Sequence, residues 1–133
     1  MNKKSDIFSK LKNKNLIVSK GYINGIFTSG NSNKTFNVND PSSGELIVSL
    51  PDMGITETKE AINAAHEAQK SWAAKTGKER SLILREWYDL IMSNKDDLAK
   101  ILTAEMGKPL AEAVGEISYG ASFVEWFAEE AKR

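Results

Sequence analysis

Most side-chain constellations that do chemistry are missing from this chain, and those that remain are incomplete. It contains no cysteine, which removes thiol nucleophiles, zinc–thiolate sites and disulfide scaffolds. A single histidine, His66, cannot build a metal centre that needs two or three imidazoles. His66-Glu67 opens like a zinc-protease motif, but Lys70 stands where the second histidine belongs. A Ser-His-Asp triad is open on composition, yet His66 rides the edge of a helical apolar stripe, where a boundary position without catalytic duty is the plainer reading. Glu112 and Glu116 are one helical turn apart and could pair as acid and base; solvated or salt-bridged carboxylates are the simpler account. The nine glycines include no G-x-G-x-x-G. Gly115 and Gly120 have phosphate-loop separation, but Ala121-Ser122 follow where Lys-Ser/Thr is required. Lys108 stands beside a helix N-terminus, where a cation is mildly disfavoured. An anion contact or an ion pair with Glu105 would compensate; an exposed lysine at a helix–Gly–Pro–helix junction is the bland alternative. No catalytic, cofactor-binding or metal-ligating residue is assigned.

The elements that must position these residues follow from composition and pattern. At 133 residues, with 41% apolar and 27% charged residues, the chain has the size and balance of one soluble globular domain. Eighteen basic side chains match eighteen acidic ones, which removes a global electrostatic case for nucleic acid. The balance is uneven along the chain, since six lysines and one aspartate fall within residues 1–20. Residues 1–15 read as a basic, disordered arm. They are no targeting peptide, lacking both a signal-length apolar run and the arginines of a transit sequence. No stretch has membrane-spanning length, so no membrane partner is expected, and the cytoplasm is the expected compartment.

Residues 16–51 read as short strands and turns, and everything from Ile55 reads as helix, so the fold class is α+β with about four helices. Leu16-Ile17-Val18 begins a β-prone run. Tyr22-Ile23 and Ile26-Phe27 flank Asn24-Gly25, a strong hairpin signal because a type I′ turn needs positive φ at both central residues. Phe36 and Val38, and then Leu46, Val48 and Leu50, alternate with polar neighbours around an Asp40–Gly44 turn, and Pro51 closes the last strand. The first helix is capped by Thr56 and turns Thr58, Ala61, Ile62, Ala65, Ala68 and Trp72 inward. Thr76-Gly77-Lys78-Glu79 is a capping box starting a second helix, which presents Ile83, Trp87, Leu90 and Ile91 to a core. Ser93 or Asn94 interrupts it. Asp96-Asp97 open a third, with Leu98, Ile101 and Leu102 inward, and Gly107 stops that one before Pro109.

The fourth helix, from Pro109 to near Arg133, is apolar on two faces. Leu110, Val114, Ile117, Ala121, Val124 and Ala128 form one stripe; Tyr119, Phe123 and Trp126 lie nearly opposite, with Phe127 between. Such a helix needs cover on both sides, either as the centre of a small bundle or with a neighbour beyond this chain.

Several strings in order resemble one family. Tyr22-Ile23-Asn24-Gly25, Asp40-Pro41 with Gly44-Glu45, and Lys78-Glu79-Arg80 with Leu84-Arg85 look like the N-terminal portion of aldehyde dehydrogenases. Glu105-Met106-Gly107-Lys108-Pro109-Leu110-Ala111-Glu112-Ala113, Gly115-Glu116-Ile117 and Phe123-Val124-Glu125-Trp126-Phe127-Ala128-Glu129-Glu130 are similar to the succinate-semialdehyde dehydrogenase branch. The resemblance covers Leu16 to Arg133 and implies that 16–133 is an incomplete N-terminal part of such a domain. It implies an enzyme in which a cysteine thiolate attacks the aldehyde, hydride passes to NAD or NADP, and a glutamate-activated water releases the acid. The matched stretch would hold neither nucleophile, nor base, nor cofactor core, so no cofactor is expected on this chain alone. Its expected partner is the missing C-terminal portion or an intact homologous subunit. By the same resemblance, Gly115, Tyr119, Phe123 and Trp126 are the candidates for the substrate-tunnel or domain-facing side of the long helix.

Overall fold

Asn24 at φ 49° and Gly25 at φ 80° close the type I′ turn that the sequence demands. It joins β1 (Gly21–Ile23) to β2 (Ile26–Thr28), with Ile23 opposite Ile26. The computed structural model describes residues 5–133. A second antiparallel ladder pairs β3 (Thr35–Asn39) with β4 (Leu46–Pro51), and the two ladders are separate two-stranded sheets. Between β3 and β4, Asp40 accepts hydrogen bonds from the Ser42 hydroxyl and the Ser42 and Ser43 amides, and Gly44 takes φ 71°. The ladder is irregular at Val38/Asn39: Asn39 faces Leu46 and Val38 faces Val48, leaving Ile47 as the extra residue. That slip changes the inward phase. Ile47, not Leu46, Val48 or Leu50, is the strand's buried aliphatic, at 5% exposure, and Phe36 is left exposed.

The N-terminal arm departs most from expectation. From Ser5 onward it is part of the body, and only residues 1–4 lie outside the described residues. A short helix, α1 (Ile7–Lys10), brings Ile7 and Leu11 against Ile47 and Ala104 to form the main apolar cluster. Lys14–Leu16 form a 3₁₀ turn, so the β-prone Leu16–Val18 run makes no strand. Apolar residues spaced among the lysines seal the core, while the side chains of Lys10, Lys12 and Lys14 stay at the surface.

Four further helices follow: α2 (Ile55–Ala74), α3 (Gly77–Ser93), α4 (Lys95–Met106) and α5 (Leu110–Glu130). Helix α2 is capped from Gly54 rather than Thr56, with the Glu57 carboxylate accepting from the Gly54 amide at 2.9 Å. Its expected inward stripe is uncovered: Thr58, Ile62, Ala65 and Ala68 are exposed, and only Ala61 and Trp72 are half-buried. The Thr76–Glu79 capping box of α3 is as the sequence predicts. Its inward face is not. Ile83, Trp87 and Leu90 face outward, while Ser81 is buried and Leu84, Tyr88 and Ile91 are half-buried. Smaller side chains permit closer approach to α5, and this wins over the larger stripe.

Asp97 fastens the arm to α4. Its carboxylate accepts from the Asn13 amide at 2.8 Å and from Lys100 Nζ at 2.9 Å, and Lys100 also donates to the Lys10 carbonyl at 2.8 Å. The Asn13 amide first, then Lys100, hold the carboxyl below its ordinary range. A group whose folded pKa is depressed contributes stability above its unfolded value and loses it as pH falls through the lowered folded value. Protection of the Asn13 amide from hydrogen exchange should therefore fade on acidification through and below the usual aspartate range, and Asp97→Asn should flatten that dependence. Packing gives a second expectation. Ala121→Leu should cost about 1–3 kcal/mol by overpacking, whereas Gly115→Ala, with open space at its Cβ position, should gain up to about 1 kcal/mol. Urea unfolding followed by circular dichroism checks both signs.

Candidate functional site

Gly107, at φ 78°, ends α4 in the left-handed conformation and donates its amide to the Thr103 carbonyl at 2.9 Å. Pro109 caps the next helix, and α5 starts at Leu110. Lys108 pairs with Glu116 in the second turn of α5, not with Glu105. This pairing accounts for a cation at a helix N-terminus and removes Glu116 from any acid–base pair with Glu112, which is exposed.

Helix α5 packs on α3 and α4 through its smallest residues. Ala113, Ala121 and Ala128 are buried at 0–1% exposure, with Val114, Ile117 and Val124 half-buried beside them. Leu110, expected inward, is exposed at 47%, and Ala113 takes the seam instead. At the far end Gly77 opens α3 so close to the Ala131 carbonyl that a Cβ there would overlap it. Arg85 Nη1 donates to Glu125 Oε1 at 2.6 Å and its guanidinium lies 5.0 Å from the Tyr88 ring centroid. The Glu125 carboxylate raises the already high arginine pKa.

With alanines inward, the aromatics point out. Tyr119, Phe123, Trp126 and Phe127 are 66%, 49%, 63% and 59% exposed. Tyr119 and Phe123 meet edge to face, with centroids 5.0 Å apart. Gly115 lies on the same stripe one turn earlier, with nothing within 4 Å of where its Cβ would be. The four sequence candidates thus share one open face: a gap at Gly115, then three rings. Beyond Phe123 and Trp126 the face dips into a shallow concavity edged by Glu125, Glu129, Glu130 and Arg133. Lys132, donating to Glu129 at 2.8 Å, lowers the Glu129 pKa by hydrogen bond and charge. Fully covering each ring is worth roughly 1.5–3 kcal/mol, so this face is a strong demand for a neighbour.

The other candidates hold no chemistry among the described residues. His66 is exposed on α2, with no serine or aspartate hydrogen-bonded to it. Gly115 and Gly120 lie inside a helix, not a loop. No group of three or more His, Asp or Glu side chains converges to hold a metal ion. No helix among the described residues is long and apolar enough to cross a membrane. Among the described residues the strands form two separate antiparallel ladders and no parallel βαβ unit of the kind that offers a helix N-terminus to a pyrophosphate.

Comparison with known proteins agrees with the geometry. The model of the aldehyde dehydrogenase family matches residues 27–133. The chain belongs to this family. It is 52% identical to a glutarate-semialdehyde dehydrogenase of Pseudomonas putida and 51% identical to the NADP-dependent succinate-semialdehyde dehydrogenase of Escherichia coli K12, each over 93% of this chain and 26% of the relative. Among solved aldehyde dehydrogenases, the succinate-semialdehyde dehydrogenase of Burkholderia pseudomallei superimposes with a TM-score of 0.90 at 54% identity, covering 92% of this chain and 26% of the other. The chain thus spans about a quarter of the length of its relatives and matches their N-terminal part.

Sequence reasoning missed the two carboxylates that clamp distant backbone, Asp97 on Asn13 and Glu57 on Asn31 at 2.8 Å. Both sit in the first turn of a helix and looked like ordinary N-terminal acids. The exposed rings carry the testable consequence. Trp126→Asp should markedly lower binding of an apolar fluorescent dye while leaving the far-ultraviolet dichroism unchanged. Undiminished dye binding would mean that the apolar surface lies elsewhere.

Proposed function

We propose that this chain forms the N-terminal helical layer of a succinate-semialdehyde-type aldehyde dehydrogenase and has no dehydrogenase activity by itself. In this reading the outer face of α5 rests on the cofactor-bearing remainder of the enzyme. Gly115, Tyr119, Phe123 and Trp126 form one wall of the passage taken by a short aliphatic aldehyde: the glycine leaves room and the rings give apolar cover. The bare aromatic stripe on a helix already packed along its opposite side carries the proposal. The family's reaction would be oxidation of succinate semialdehyde to succinate with NAD or NADP, the dinucleotide and the substrate carboxylate both being held by the remainder. No serine here replaces the absent thiolate, since its high pKa calls for a dedicated base. We propose the cytoplasm as its compartment, on the sequence grounds given above.

Purified chain mixed with succinate semialdehyde and either nicotinamide cofactor should form no reduced cofactor, even at high protein concentration. Measurable turnover would refute the reading. A second reading is a docking module that binds an intact or separately encoded aldehyde dehydrogenase subunit. It draws support from exposure beyond α5, since Leu82, Trp87 and Leu90 on α3 are also 56–62% exposed. Under it, the chain should co-elute with a cysteine-bearing remainder of the family enzyme, and Trp126→Asp should abolish the association. Failure to co-elute would reject docking.

A further inference from the structure

We infer that hairpin β1–β2 and helix α2 form a unit that opens independently of, and more readily than, the body built from the arm, β3–β4 and α3–α5. Although α2 is 20 residues long, its one buried residue is Glu57. Ile55 and Ile62 are 77% and 62% exposed, and the helix rests chiefly on β1. The body, in contrast, buries Ile7, Leu11 and Ile47 together with Ala99, Ala113, Ala121 and Ala128. It is also tied by the Asp97–Asn13 and Arg85–Glu125 contacts.

Local sequence lets α2 persist as a helix without that packing. It is rich in alanine, has no internal glycine or proline, and carries a Glu67–Lys70 ion pair one turn apart. Both flanking residues, Gly54 and Lys75, are extended, so α2 is joined to the rest of the chain by a non-helical residue at each end. Two contacts near the N-terminal end of α2 help to hold the unit in place. The Glu57 carboxylate spans the Asn31 and Gly54 amides; with its own backbone amide first, these donors hold its pKa below the ordinary range. The Met53 side chain lies over Gly21 and Gly30, so near that a Cβ at either glycine would come within 2.6–2.9 Å of it. With Ile55 and Ile62 already exposed and Trp72 only half-buried, an opening that breaks these contacts has no fully buried apolar side chain of α2 to uncover, and such openings have low free energy. The inference does not depend on dehydrogenase ancestry.

Hydrogen exchange on the full chain, read by mass spectrometry, tests it. Amides of β1–β2 and α2 should exchange at least about tenfold faster than those between Ala113 and Ala128. Glu57→Gln should accelerate exchange in the hairpin and α2 and leave α5 unchanged. Asp97→Ala should accelerate the arm and α4 and leave α2 unchanged. Equal protection of α2 and α5, or a Glu57→Gln effect that spreads equally into α5, would overturn the inference.

Discussion

Close approach of α5 to α3 along alanines is the constraint from which the rest of the molecule follows. A helix has a fixed angular step per residue, so burying Ala113, Ala121 and Ala128 also sets the direction of every other α5 side chain. Tyr119, Phe123 and Trp126 then have no path back to the interior. The same approach explains why α3 turns Ser81 rather than Trp87 toward its neighbour, and why Gly77 is placed where no side chain would fit beside the Ala131 carbonyl. Small residues at the seam and large ones outside invert the usual arrangement of a core.

Stability must therefore come from sources other than a filled interior. Among the described residues no large side chain is fully buried. Caps, the Asp97 and Glu57 clamps and a modest aliphatic cluster around Ile7, Leu11, Ile47 and Ala104 hold the elements together. The chain spans about a quarter of the length of its relatives and turns aromatic and aliphatic faces of three helices to solvent.

Local chemistry was legible in the sequence; the choice of buried face often was not. Asn24-Gly25, the Asp40–Gly44 turn, the Thr76–Glu79 box and Gly107 each act within a few residues, and each stands where the pattern put it. The second apolar face of α5 was legible too, though the sequence left open whether this chain would cover it; the structure leaves Tyr119, Phe123 and Trp126 exposed. Misjudged were the inward stripes of α2 and α3, where large apolar residues face out for lack of cover within this chain. Ile47 was missed because one extra residue in a ladder reverses which side chains point inward. The arm was missed because its lysines outweighed Ile7 and Leu11 in composition, and because Asn13 meets an acid 84 positions away.

That last contact bears on where the physical body begins. Similarity to the family model starts at residue 27, and a recombinant piece trimmed to that border would look reasonable on an alignment. It would discard β1 together with Ile7 and Leu11, uncover Ile47, and leave a near-buried carboxylate on α4 without the amide that satisfies it. The unit of folding is wider than the span of the family model, and shortening the chain from its amino end would break the seat of the arm on β4 and α4.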